Sequence, residues 1–200
     1  MEFVRYLDVF VILFFTLIWV SNIVFLKFKK KKSLLYLTLF SIFYLYIFKV
    51  LDYTLFQFQS LVVLKYFMPD LILRGQSAGE SLNLIPLFTL RVQDLKTSLL
   101  NILLFIPLGF GLPFVARLRM EKIVILGLFF SIVIESLQLM TGIIAKITFR
   151  VTDINDVIFN TLGVVMGYLI FRGFVYIYNR VARSKTIFSK SFARFIQKRM

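Results

Sequence analysis

The sequence predicts an all-α membrane protein with five transmembrane helices. It places the N-terminus outside, the C-terminus in the cytoplasm, and a basic amphipathic helix at the C-terminal end. Three observations lead there. Hydrophobic residues make up 60% of the 200 positions and fall in long uninterrupted runs. Charged residues are only 17%, against about 25% in soluble domains. The net charge is +14, and many of the basic residues behind it are gathered in short segments between and after the runs. This distribution excludes a soluble enzyme, a disordered chain and a disulfide-stapled secreted domain. With no Cys and no His, imidazole or thiolate metal sites and any Ser–His or Cys–His catalytic pair are excluded as well. A charge of this size on a soluble chain would point to nucleic acid. Here its position points to a membrane, and nucleic acid is not an expected partner.

A span needs about 20 mostly apolar residues. Asp8 to Leu26 is the first, ended by the basic run Lys27 to Lys32. It is not read as a signal peptide, because Glu2 and Asp8 offset Arg5 and no small-residue cleavage site follows. Leu34 to about Phe58 is the second, interrupted only by Lys49 and Asp52. Gln59–Pro69 is apolar but short, and reads as the end of that span or an interfacial piece. Pro69–Thr97 is the longest loop, loosened by Gly75 and Gly79. Leu99 to about Val115 is the third span. Pro107, Gly109, Gly111 and Pro113 predict a broken or kinked backbone within it. Ile123 to about Met140 is the fourth span, and Ile154 to about Tyr178 the fifth. Phe188, Phe192, Phe195 and Ile196 then recur at helical spacing among basic residues, as in an interfacial helix on anionic lipid. The chain divides accordingly into residues 1–68 with two helices, 69–178 with the outer loop and three helices, and a basic tail over 179–200.

Orientation follows from the basic residues of the short loops. Five lysines follow the first span, Arg117, Arg119 and Lys122 follow the third, and seven basic residues follow the fifth. With five spans these regions share one side, and Glu121 is the single acid among them. That side is assigned to the cytoplasm of a bacterial membrane.

Ionisable residues inside a membrane are costly, so each is a candidate functional residue. Lys49 lies about 22 Å from the inner edge at 1.5 Å per residue, and Asp52 follows on the same face as an expected ion-pair partner. Asn101 opens the third span. Glu135 and Gln138 lie near the outer end of the fourth. Arg150 and Asp153 precede the fifth, and Asp156 and Asn160 begin it. Asp153 also stands where a helix N-cap is expected. Asp153, Asp156, Asn160, Gly163 and Gly167 share one helical stripe, whose glycines would admit a neighbouring helix. Polar residues from several spans thus converge on one depth. The expected result is an outward polar pocket formed by Asn101, Glu135, Gln138, Arg150, Asp153, Asp156 and Asn160.

The order Asn83-Leu-Ile-Pro-Leu-Phe88, Asn101-x3-Phe105-Ile-Pro-Leu-Gly-Phe110, Glu135-x2-Gln138 and Arg150-x2-Asp153-x2-Asp156-x3-Asn160-x2-Gly163-x3-Gly167-Tyr168 resembles the VanZ-like family. The resemblance covers Asn83 to Tyr168. It implies a multi-pass bacterial membrane protein associated with response to teicoplanin-type glycopeptide antibiotics, and it implies no reaction. Three functions are compatible with the residues. In the preferred one the pocket binds an envelope lipid or glycolipid headgroup, or the antibiotic. Arg150 clamps an anion there, and Glu135, Gln138 and Asn160 meet hydroxyls or amides. In the second, Glu135, Asp153 and Asp156 share a Mg²⁺ in an enzyme acting on a lipid-linked phosphate or sugar. The third is a small-solute or proton carrier, disfavoured because the inner halves of the spans lack polar residues. The preferred reading needs neither metal nor cofactor.

Overall fold

Long apolar runs without internal breakers have one low-energy form in lipid, the helix that satisfies its own backbone. In the computed structural model of the chain, residues 2–55, 82–86, 92–145 and 152–184 are described. They form helix α1 (Glu2–Val24), a π-helical turn (Phe25–Lys29), α2 (Leu34–Thr54), strand β1 (Leu82–Asn83), α3 (Val92–Val115), α4 (Met120–Ala145), strand β2 (Thr152–Asp153) and α5 (Ile154–Ser184). All five helices are long and apolar enough to cross a membrane, over Val9–Lys29, Leu34–Thr54, Leu95–Val115, Met120–Met140 and Ile154–Arg180. Gln59–Pro69, Gly75, Gly79, Arg150 and the tail segment with Phe188, Phe192, Phe195 and Ile196 lie outside the described residues.

Of the two forms expected for the third span, the break is not the one found. α3 runs as a continuous helix through both Pro107 and Pro113. Each proline removes one helical N–H, but α2 bonds to the backbone of this stretch. The Tyr46 hydroxyl donates to the Leu104 carbonyl at 2.7 Å, in the turn before Pro107. Pro113 is buried between Leu112 and Phe114, and the Tyr36 hydroxyl donates to the Val115 carbonyl at 3.0 Å, where α3 ends. Packing, rather than helix propensity, decides the local form.

Cross-helix contacts give the order of the bundle. Trp19 Nε1 donates to Ser41 Oγ at 3.1 Å and the Tyr44 hydroxyl to the Phe15 carbonyl at 2.7 Å, so α1 runs antiparallel to α2. The contacts Tyr36–Val115 and Tyr46–Leu104 make α2 antiparallel to α3. Gly163 lies against the Ile102 carbonyl and Gly167 against the Ile106 carbonyl, while Gly109 lies against the Val164 carbonyl. Successive turns meet in the same order, so α3 and α5 run parallel with their backbones in direct contact. Only glycine permits that approach, because a Cβ at any of the three would overlap main-chain atoms. Gly127 faces the Val164 side chain and Asn160 reaches Ser131, an order that makes α4 antiparallel to α5.

The core lies among α2, α3, α4 and α5, where Val50, Phe105, Leu108, Ile123, Ile134 and Val164 are buried together. A second cluster joins Phe114, Phe171, Val175 and Tyr178 nearer the C-terminal ends of α3 and α5. Its rings meet edge to face, as Phe114 and Phe171 do at 5.1 Å and 86°. Such pairs contribute about 0.5–1.5 kcal/mol beyond their area. α1 lies at the rim, with Phe10, Leu13 and Leu17 exposed. A helix apolar on its outer face suits lipid as its solvent.

Candidate functional site

One end of the bundle gathers the C-terminal end of α2, the N-terminal ends of α3 and α5, and the C-terminal half of α4. The polar residues selected from the sequence collect there because the alternating helix directions bring their helix ends together. Asp153 is the N-cap of α5. Its Oδ1 accepts from the Asn155 N–H at 2.8 Å, satisfying a donor at the helix start, and from Asn83 Nδ2 at 3.1 Å. Asn83 Oδ1 in turn accepts from the Ile85 N–H at 3.2 Å, a side-chain turn that sets up the approach to Pro86. β1 and β2 pair in parallel here, Leu82 with Thr152 and Asn83 with Asp153. This short ladder fastens the loop before α3 to the start of α5.

Gln138 Nε2 donates to the Thr54 carbonyl at 2.9 Å. Thr54 is the last residue of α2, so Gln138 satisfies one of the carbonyls that a helix end leaves open. Asn160 is 3% exposed, and its Nδ2 donates to Ser131 Oγ at 2.8 Å. Glu135 is 6% exposed, one helical turn beyond Ser131 on the same face of α4. The antiparallel register set by Asn160–Ser131 and Val164–Gly127 puts Asp156 level with Glu135 and Asp153 level with Gln138. The parallel register of α3 and α5 puts Asn101 level with the turn from Asn160 to Gly163.

Lys49 and Asp52 stand apart from this group. They form an i,i+3 ion pair at 2.9 Å on an exposed face of α2, and such pairs contribute little to stability.

Several groups in the site are already committed to structure. Asp153 caps and bridges, and Gln138 holds the end of α2. Three buried atoms have no hydrogen-bond partner among the described residues: Asn101 Nδ2, Thr152 Oγ1 and Asn160 Oδ1. They offer a donor, a hydroxyl and an acceptor. Buried polar atoms left unmatched cost about 1–3 kcal/mol each. Among the described residues, no three Asp, Glu, His or Cys side chains are grouped closely enough to hold a metal ion.

Sequence reasoning passed over Ser98, Ser131 and Asn155, which are buried at this end. Ser131 could have been found from Glu135, four residues away on the same helix face. Thr152 and the β1–β2 ladder had no local signal, because the pairing joins segments far apart in the chain.

Comparison with curated proteins gave no match, and comparison with solved structures gave none. The sequence model of the VanZ/LLP1 family matches residues 13–177. That span runs from within α1 to within α5, well beyond the segment Asn83–Tyr168. With most of the chain matched and five helices of membrane-spanning type, this multi-pass protein belongs to the VanZ/LLP1 family.

Proposed function

We propose that the polar end of the bundle is a binding site for an envelope lipid or glycolipid headgroup, through which the protein modulates the response to teicoplanin-type glycopeptides. The carrying observation is that Asn101, Thr152 and Asn160 bury polar atoms without partners at the same end of the bundle. A sugar or amide headgroup supplies the hydroxyls and N–H groups that those atoms lack. Arg150, three residues before the N-cap Asp153, is assigned to an anionic part of the headgroup. In this reading the polar end faces outward from a bacterial cytoplasmic membrane and the N-terminus is outside. Supporting that orientation, the basic turns at Lys27–Lys32 and Arg117–Lys122 lie at the opposite end. The basic end then meets anionic lipid of the cytoplasmic leaflet.

The test uses Glu135→Gln, which keeps shape and most hydrogen-bonding capacity while removing a charge. Purified protein is melted in nanodiscs of bacterial envelope lipid and of phosphatidylcholine. Teicoplanin susceptibility is measured in cells expressing matched amounts. The variant should melt like the parent in phosphatidylcholine, lose the stabilisation given by envelope lipid, and lose the susceptibility phenotype. A lowered melting temperature in phosphatidylcholine with an unchanged phenotype would mean that Glu135 only holds helices together, and the proposed site would fall.

A further inference from the structure

The opposite end of the bundle carries two basic turns, one between α1 and α2 over Lys27–Lys32 and one between α3 and α4 over Arg117–Lys122. The five lysines of the first turn and Arg117, Arg119 and Lys122 of the second are all exposed. The single ion pair found among the described residues is Lys49–Asp52, so none of these cations is neutralised by a carboxylate there.

Tyr36 joins the two turns. Its ring is buried, and its hydroxyl donates to the carbonyl of Val115, the last residue of α3. The Lys32 ammonium lies over the same ring, 4.8 Å from its centroid. Lys32 is thereby held beside the end of α3, and Arg117 follows two residues later. The α1–α2 turn is also a defined one. Lys30 N–H bonds to the Phe25 carbonyl at 3.2 Å and Lys32 N–H to the Leu26 carbonyl at 3.0 Å. Lys31 sits at φ 49°, in the left-handed region that side chains disfavour. A tight turn that concentrates like charges is stabilised by a bound anion, which offsets their mutual repulsion.

We propose that Lys32, Arg117 and Arg119 form a seat for the phosphate group of an anionic phospholipid. The guanidinium groups offer paired N–H donors that match phosphate oxygens, and the lysine supplies a point charge. Phe28 and Leu34, exposed apolar residues flanking the lysines, favour a lipid over a free ion, because acyl chains would cover them. The seat deepens the reading that this end meets anionic lipid, and rests on it.

The full-length protein is melted in nanodiscs of phosphatidylcholine, with and without added phosphatidylglycerol. Phosphatidylglycerol should raise the melting temperature of the parent. Lys32→Gln with Arg117→Gln should remove most of that rise. Lys27→Gln with Lys29→Gln, an equal loss of charge, should keep it. Arg117→Lys keeps the charge but not the paired donors, and should lower the rise in a protein whose folding is undisturbed. Equal loss in both double variants overturns the seat and leaves the general attraction to anionic lipid standing. No rise in the parent overturns both. Inorganic phosphate reproducing the rise in plain phosphatidylcholine assigns the seat to a soluble ion and overturns the lipid.

Discussion

Two glycines of α5 make opposite predictions for the same substitution. At Gly167 an added methyl would overlap the Ile106 carbonyl group and lie 2.9 Å from the Phe110 nitrogen. These are main-chain atoms of a helix, so no side chain can rotate away. α3 and α5 must separate by about 1 Å or more, and a gap of about 1 Å already forfeits roughly half of each contact's attraction. At Gly173 an added methyl meets nothing within 4 Å. Replacing a helical glycine by alanine on its own stabilises by about 1 kcal/mol. Overpacking a tight contact costs about 1–3 kcal/mol. Gly173→Ala should therefore stabilise by up to about 1 kcal/mol, and Gly167→Ala should destabilise by up to about 2 kcal/mol after its own helix gain is subtracted. The measurement is reversible unfolding in mixed micelles, followed by circular dichroism, with both variants beside the parent. Equal stability of the two variants would refute the backbone contact between α3 and α5. Because Asn160 lies one turn from Gly163, Gly163→Ala should add a loss of envelope-lipid stabilisation to the same defect.

Three further outcomes are expected. Ser131→Ala removes the partner of the buried Asn160 amide; it should cost about 1–3 kcal/mol, and an Asn160→Leu/Ser131→Ala double variant should recover part of this when unfolded in the same micelles. Arg150→Ala, which removes the cation assigned to the anionic part of the headgroup, should cancel most of the stabilisation given by envelope lipid in the nanodisc melts. A reporter active only outside the cytoplasm should be silent when fused after Met200 and active when inserted near Gly79, and the reverse pattern would invert the orientation.

The spans were legible because a run of about 20 apolar residues has few alternatives in lipid. The glycine stripe was legible for a related reason. Gly163 and Gly167 are one turn apart, and small residues at that spacing have a recognised packing role. The N-cap at Asp153 needed only its neighbours. The rest depended on which helix lies beside which. Gln138 reads as a pocket residue from its own helix, yet it spends its amide on the Thr54 carbonyl. Pro107 and Pro113 read as places where the helix breaks or kinks; the helix is unbroken there, and tyrosines of another helix bond to the backbone beside them. Asn83 carried a sequence motif without a reason, and the reason is a hydrogen bond to Asp153 across the fold. No local periodicity encodes such pairings.

The two-residue ladder between Leu82–Asn83 and Thr152–Asp153 also sets an order of events during synthesis. Leu82 emerges from the ribosome before α3 and α4 exist, and its strand partner appears only after both have been made. Closing so long a loop waits until the intervening helices have shortened the distance between its ends. Until α5 arrives, Asn83 has no Asp153 to meet and Ser131 has no Asn160. The earlier helices must therefore enter the bilayer with this end unfinished. α5 completes it, so a ribosome stalled before Thr152 would leave a membrane-embedded chain whose polar end has not been assembled.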